Sequence, residues 1–92
     1  MHEARLCLSL LALAEQHLAS AGGGRIVGMR LEVGDFAGVA PEALAAAFPI
    51  CAAGTAADGA TLRIDRVSGR DLVLRDLRAA GYREPAESRG RG

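Results

Sequence analysis

Arg25-Ile26-Val27-Gly28-Met29-Arg30-Leu31-Glu32-Val33-Gly34 is the stretch on which the fold turns. Val27, Met29, Leu31 and Val33 fall on one side of an extended chain, and Gly28, Arg30 and Glu32 on the other. Period-two alternation of this kind reads as a strand with one face buried. That face needs a covering layer, and both flanks offer a helix. Upstream, over residues 3–21, Cys7, Leu11, Ala14 and Leu18 recur at helical spacing. Leu6, Leu10 and Leu13 widen the apolar stripe, while Arg5, Ser9, Gln16 and Ser20 mark the polar side. Gly22-Gly23-Gly24 ends this helix, because glycine suits the C-cap and loses most entropy when ordered. Downstream, Gly34-Asp35 and Gly38 break the strand into a loop. Pro41 then suits a first helical position, where its missing N–H would be unpaired anyway, and Glu42 complements the helix dipole. This second helix should pass Leu44 and Phe48 and stop at Gly54. Pro49 should clash with the Ala45 carbonyl at a cost of about 3 kcal/mol, which predicts a kink or an early end near Phe48.

Residues 60–67 alternate again after a turn at Asp58-Gly59, with Ala60, Leu62 and Ile64 inward and Thr61, Arg63 and Asp65 outward. Ser68-Gly69 is suited to a tight hairpin. Residues 70–78 read two ways. As a strand, Leu72 and Leu74 share a face that Asp76 then spoils. As a helix, Val73, Leu74, Leu77 and Ala80 form a stripe, Asp71 and Arg75 pair at i, i+4, and Gly81 caps the end. Periodicity leans towards the helix, but two strands alone would leave an open edge and a thin core, which favours the strand. Pro, Glu, Ser, Arg and Gly dominate from about Arg83, so 81–92 reads as a disordered tail behind a 1–80 domain.

Ninety-two residues make one domain. A chain this short buries only about two-thirds of its unfolded surface. Phe36, Phe48 and Tyr82 are the only aromatics, so the core must be aliphatic. Eleven positive charges, all arginine, balance eleven negative ones, which argues against a nucleic-acid partner. Cys7 and Cys51 sit in apolar runs and read as small buried hydrophobes of a reduced, cytoplasmic protein. No CxxC motif exists to hold zinc. Leu6 to Ala14 is apolar, but Ser9 interrupts it and it is too short to span a membrane.

Met1-His2-Glu3 is the chemical candidate. The terminal amine of Met1, the His2 amide and the His2 imidazole can close a five- and a six-membered chelate ring around one metal ion. A deprotonated amide is a strong in-plane donor, so square-planar Ni(II) or Cu(II) is favoured over Zn(II). Glu3 adds a neighbouring carboxylate, which also suits the first turn of the helix. His17 lies fifteen residues on, roughly 22 Å along a helix, too far to share that metal. No serine or cysteine has a histidine at a defensible spacing, so the chain does not read as an enzyme. Gly22-Gly23-Gly24 is no phosphate loop, since no lysine follows and no strand feeds it.

Several stretches combine. Met1-His2-Glu3 opens an amphipathic helix. Arg30-Leu31-Glu32-Val33-Gly34-Asp35-Phe36-Ala37-Gly38-Val39 follows, then Pro41-Glu42-Ala43-Leu44, Phe48 and Gly54-Thr55. Asp58-Gly59-Ala60-Thr61-Leu62-Arg63-Ile64 completes the set. In order and spacing, roughly residues 1–67 resemble the HypA/HybF family of hydrogenase nickel-incorporation proteins. The resemblance implies a nickel metallochaperone that delivers Ni(II) to the large subunit of nickel–iron hydrogenase, in some organisms also supporting urease, together with a maturation GTPase. The family's nickel ligand carries over onto His2, with the Met1 amine and local amides. Its acidic neighbour carries over onto Glu3, a further ligand or a docking residue. The family also carries a zinc ribbon with two CxxC pairs, which is missing after Val67, so no zinc is expected. Family analogy makes 70–78 a closing strand. The expected fold is α/β, with two helices on one face of a three-stranded mixed sheet, in the order helix, strand, helix, strand, strand. The strands flanking the second helix should be parallel through a right-handed crossover. The last should return antiparallel through Ser68-Gly69. A monomer or weak dimer is expected. The competing reading is a metal-free docking module that binds a maturation partner without carrying nickel.

Overall fold

The computed structural model describes residues 2–81. Five elements follow in the expected order: α1 (His2–Ser20), β1 (Arg25–Gly34), α2 (Pro41–Ala52), β2 (Thr61–Val67) and β3 (Leu72–Ala80). The Met1 amine and the tail from Tyr82 onward, read from sequence as disordered, lie outside the described residues.

The apolar stripe of α1 is buried as its spacing requires. Cys7, Leu11, Ala14 and Leu18 pack with Leu44, Phe48 and Ala52 of α2 and with Ile26, Met29, Leu31 and Val33 of β1. Leu62 and Ile64 of β2 and Leu72, Leu74 and Leu77 of β3 close this aliphatic layer at its flanks. The triple glycine stops α1 in a Schellman arrangement. Gly23 N–H donates to the Leu18 carbonyl at 2.8 Å and Gly22 N–H to Ala19 at 3.3 Å, with Gly22 at φ 113°.

β1 is the central strand of the sheet, with β2 parallel on one side and β3 antiparallel on the other. The hairpin expected at Ser68-Gly69 therefore does not form. Instead the connection crosses the end of β1 and delivers β3 to its far edge. Gly34, Asp35 and Phe36 hold that crossing, donating to the Asp71, Val67 and Gly69 carbonyls, each at 2.8 Å. A Cβ at Gly34 would lie 2.6 Å from the Gly69 carbonyl carbon and 2.9 Å from the Arg70 nitrogen, so only glycine fits beneath the crossing. The arrangement gives the most apolar strand a neighbour on both edges.

Two local expectations are corrected, and one ambiguity is resolved. Val27 does not share the inward face. Pairing with β3 slips between Ile26 and Gly28, which leaves Val27 as the extra residue of a bulge and puts Ile26 inward, fully buried. Residues 72–80 form the expected closing strand, not the helix towards which periodicity leaned. A second slip skips Arg75, so Leu72, Leu74 and Leu77 all point inward while Asp76 points outward opposite Arg30. Finally, α2 does not end at Phe48 but runs through Pro49 to Ala52. Ala45 and Pro49 both lie on its exposed side, where water can serve the carbonyl that loses its amide partner.

Candidate metal centre

His2 is exposed and is the first residue of α1. The opening amides of a helix have no intrahelical carbonyl to bond. An amide nitrogen at this point can become a metal ligand without breaking the helix ladder. Among the described residues, no three His, Cys, Asp or Glu side chains come together to hold a metal.

Glu3 is placed beside His2 but turned to a different task. Its Oε2 accepts the Ala40 N–H at 3.4 Å. Ala40 is the N-cap of α2 and has no side-chain oxygen to cap with, and the third helical position is Ala43. Glu3 thus reaches from α1 to do for α2 what the acid of a capping box does locally. Its own backbone N–H, and then that of Ala40, hold the carboxyl below its ordinary range. His17, at the other end of α1, is not brought to this site.

The same contact fixes the 35–40 loop at the His2 end. Phe36 in that loop is 78% exposed, although its backbone is pinned to Gly69. Sequence reasoning did not single it out. The available signal was a lone aromatic in a glycine-bounded turn, outside every apolar stripe.

Cys7 and Cys51 are far apart in sequence but meet across the two helices. The Cys7 thiol donates to the Leu44 carbonyl at 3.6 Å and Cys51 to the Ala4 carbonyl at 3.8 Å. Burial, and then the neighbouring Cys51, push the Cys7 thiol up to about 11. Cys7 is buried as expected, whereas Cys51 is only half-buried.

The opposite face of the sheet is charged. Arg30 donates from Nη1 to Asp65 at 2.9 Å and from Nε to Asp76 at 2.7 Å, tying both edge strands to the central one. Arg30 and then Arg63 hold the Asp65 carboxyl low. A shallow hollow of about 400 Å³ lies here, between Arg30, Arg63 and Arg78. It is lined by strands alone. None of the described helices is long and apolar enough to cross a membrane.

Residues 1–72 match the family model described as "Hydrogenase/urease nickel incorporation, metallochaperone, hypA". The protein named hydrogenase maturation factor HypA in Deinococcus radiodurans is 48% identical over 69 residues, covering 75% of this chain and 58% of the relative. Its namesake in Geobacter sulfurreducens is 46% identical over 70 residues, covering 76% and 61%. That of Geobacter metallireducens is 36% identical over 93 residues, covering 98% and 82%. The matches to the first two thus span about three-fifths of those relatives' length.

Proposed function

The chain belongs to the HypA family of hydrogenase and urease nickel-incorporation metallochaperones, and from that membership we propose that it binds Ni(II) at its own N-terminus and hands it on during nickel–iron hydrogenase maturation. The observation that carries this reading is the exposed His2 at the unpaired start of α1. The imidazole, the His2 amide and the Met1 amine supply in-plane nitrogen donors to the metal. The exposure of His2 favours rapid exchange, which suits transfer and not storage. Binding requires an amide proton to leave, so acid reverses it. In a test tube Cu(II) competes for the same donors, and selectivity for nickel rests on availability and partners.

The proposed partners are a maturation GTPase that cooperates in loading and the hydrogenase large subunit that receives the metal, with urease as a possible second client, all in the cytoplasm. Glu3 acts here as the residue that fixes the His2 terminus on α2. The sequence holds no CxxC pair, and neither Cys7 nor Cys51 sits where a zinc-ribbon ligand would, which supports a domain that works without zinc. Its chemistry is carriage, not catalysis.

Complementation tests the reading. In cells lacking their own HypA, the wild-type gene should restore hydrogenase activity and His2→Ala should not, at equal protein level. Equal restoration by both would contradict nickel carriage and favour a docking role.

A further inference from the structure

α1 and α2 meet through a reciprocal exchange that nickel carriage does not use. Cys7, on α1, donates to a carbonyl of α2, and Cys51, on α2, donates to a carbonyl of α1, at 3.6 and 3.8 Å. Each sulfur points off its own helix into the other. Both sulfurs thus lie in the one seam between the helices, where Cys51 also helps to hold the Cys7 thiol protonated. Both are free. Their access differs, since Cys7 is 2% exposed and Cys51 is half-buried. Packing alone would be served by any small apolar residue and does not require sulfur on both sides.

We propose that Cys7 and Cys51 form a thiol–disulfide couple which, on oxidation by a small-molecule disulfide of the glutathione class, clamps α1 covalently to α2 just behind the His2 terminus. Cys51, the accessible partner, attacks first as its thiolate. The S–S bond of the oxidant breaks, a mixed disulfide forms on Cys51, and one thiolate leaves. Cys7 then gives up its proton to that thiolate, and its sulfur displaces the second thiolate from Cys51. Two protein thiols become one disulfide, and the oxidant takes two electrons and leaves as two thiols. Because the thiolate is the nucleophile, the buried Cys7 makes the second step slow and faster at alkaline pH. Little is lost when the thiols leave their carbonyls. The Ala4 and Leu44 oxygens lie inside helices, where they still accept the Leu8 and Phe48 amides. The new bond closes a loop that contains β1 and restricts the unfolded chain.

The test is to incubate the full, folded chain with oxidised glutathione and follow intact mass, a non-reducing peptide map and the thermal melt. The expected product is a monomer lighter by two hydrogens, with the Cys7 and Cys51 peptides joined. Its Tm should rise by roughly 5–15 °C and fall back with dithiothreitol. Cys7→Ala, which keeps a small apolar side chain in the core, should stop as a glutathione adduct on Cys51. Cys51→Ala should stay unmodified. A wild-type chain that ends as the Cys51 adduct, links to a second chain, or joins the two cysteines only in denaturant would overturn the proposal.

Discussion

Glu3 shows how one side chain joins the proposed metal terminus to the scaffold. Its carboxylate accepts from the first turn of α1 and from the N-cap of α2, so it must be ionised to serve both. A folded-state pKa below the unfolded value means stability that is fully present above about pH 4.3 and is lost as pH falls through the lower, folded value. Glu3→Gln should therefore be less stable than wild type near pH 6, with the two urea midpoints converging as pH approaches 3. A gap that persists at pH 3 would assign the effect to shape and not to charge. Gly34 and Gly28 form an informative pair. A Cβ at Gly34 meets backbone, whereas at Gly28 it meets the guanidinium of Arg78, a flexible side chain that can move aside. Gly34→Ala should cost about 1–3 kcal/mol by urea denaturation. Gly28→Ala should change stability by no more than about 0.5 kcal/mol.

At the scale of elements, legibility followed periodicity and failed where a bulge broke it. The buried residues of α1, Cys7, Leu11, Ala14 and Leu18, were all read, because an uninterrupted helix keeps its period over many residues, although Leu13, read as widening the stripe, is 42% exposed. β1 was bounded correctly, yet Val27 exchanged its place with Ile26 at a bulge. In β3 the skipped Arg75 converts a period of two into the spacing of Leu74 and Leu77, which imitates one turn of helix. No residue type in that stretch announces a bulge. It is fixed by pairing with β1, more than forty residues away in sequence. The placement of β3 beside β1, not β2, was hidden for the same reason. Pro49 carries a prediction at this scale. α2 tolerates it at an exposed position, but the missing amide bond remains a cost. Pro49→Ala should stabilise the fold by about 2 kcal/mol, the helix penalty of about 3 less up to about 1 of unfolded-state entropy. A denaturation midpoint unchanged or lowered would show that the backbone geometry fixed by Pro49 is required there.

For the whole molecule, the two layers divide the work. The aliphatic layer between helices and sheet holds the fold, and the charged sheet face is tied together by Arg30. The proposed metal terminus lies at the start of α1, where Glu3 links it to the 35–40 loop. His2 could be proposed as a ligand from sequence because a chelating tripeptide is local in sequence. The link from Glu3 to Ala40 and the meeting of Cys7 with Cys51 could not be read there, because each depends on how α2 is laid across α1. The central claim is that nickel carriage resides in the N-terminal nitrogens of this domain without a zinc ribbon. The most direct measurement is a Ni(II) titration of the untagged chain beginning at Met1, read by absorption spectroscopy beside His2→Ala. One-to-one binding with a square-planar spectrum, absent in His2→Ala and weakened a full pH unit lower, is the expected result. No binding by the wild-type chain, or equal binding by both, would contradict it.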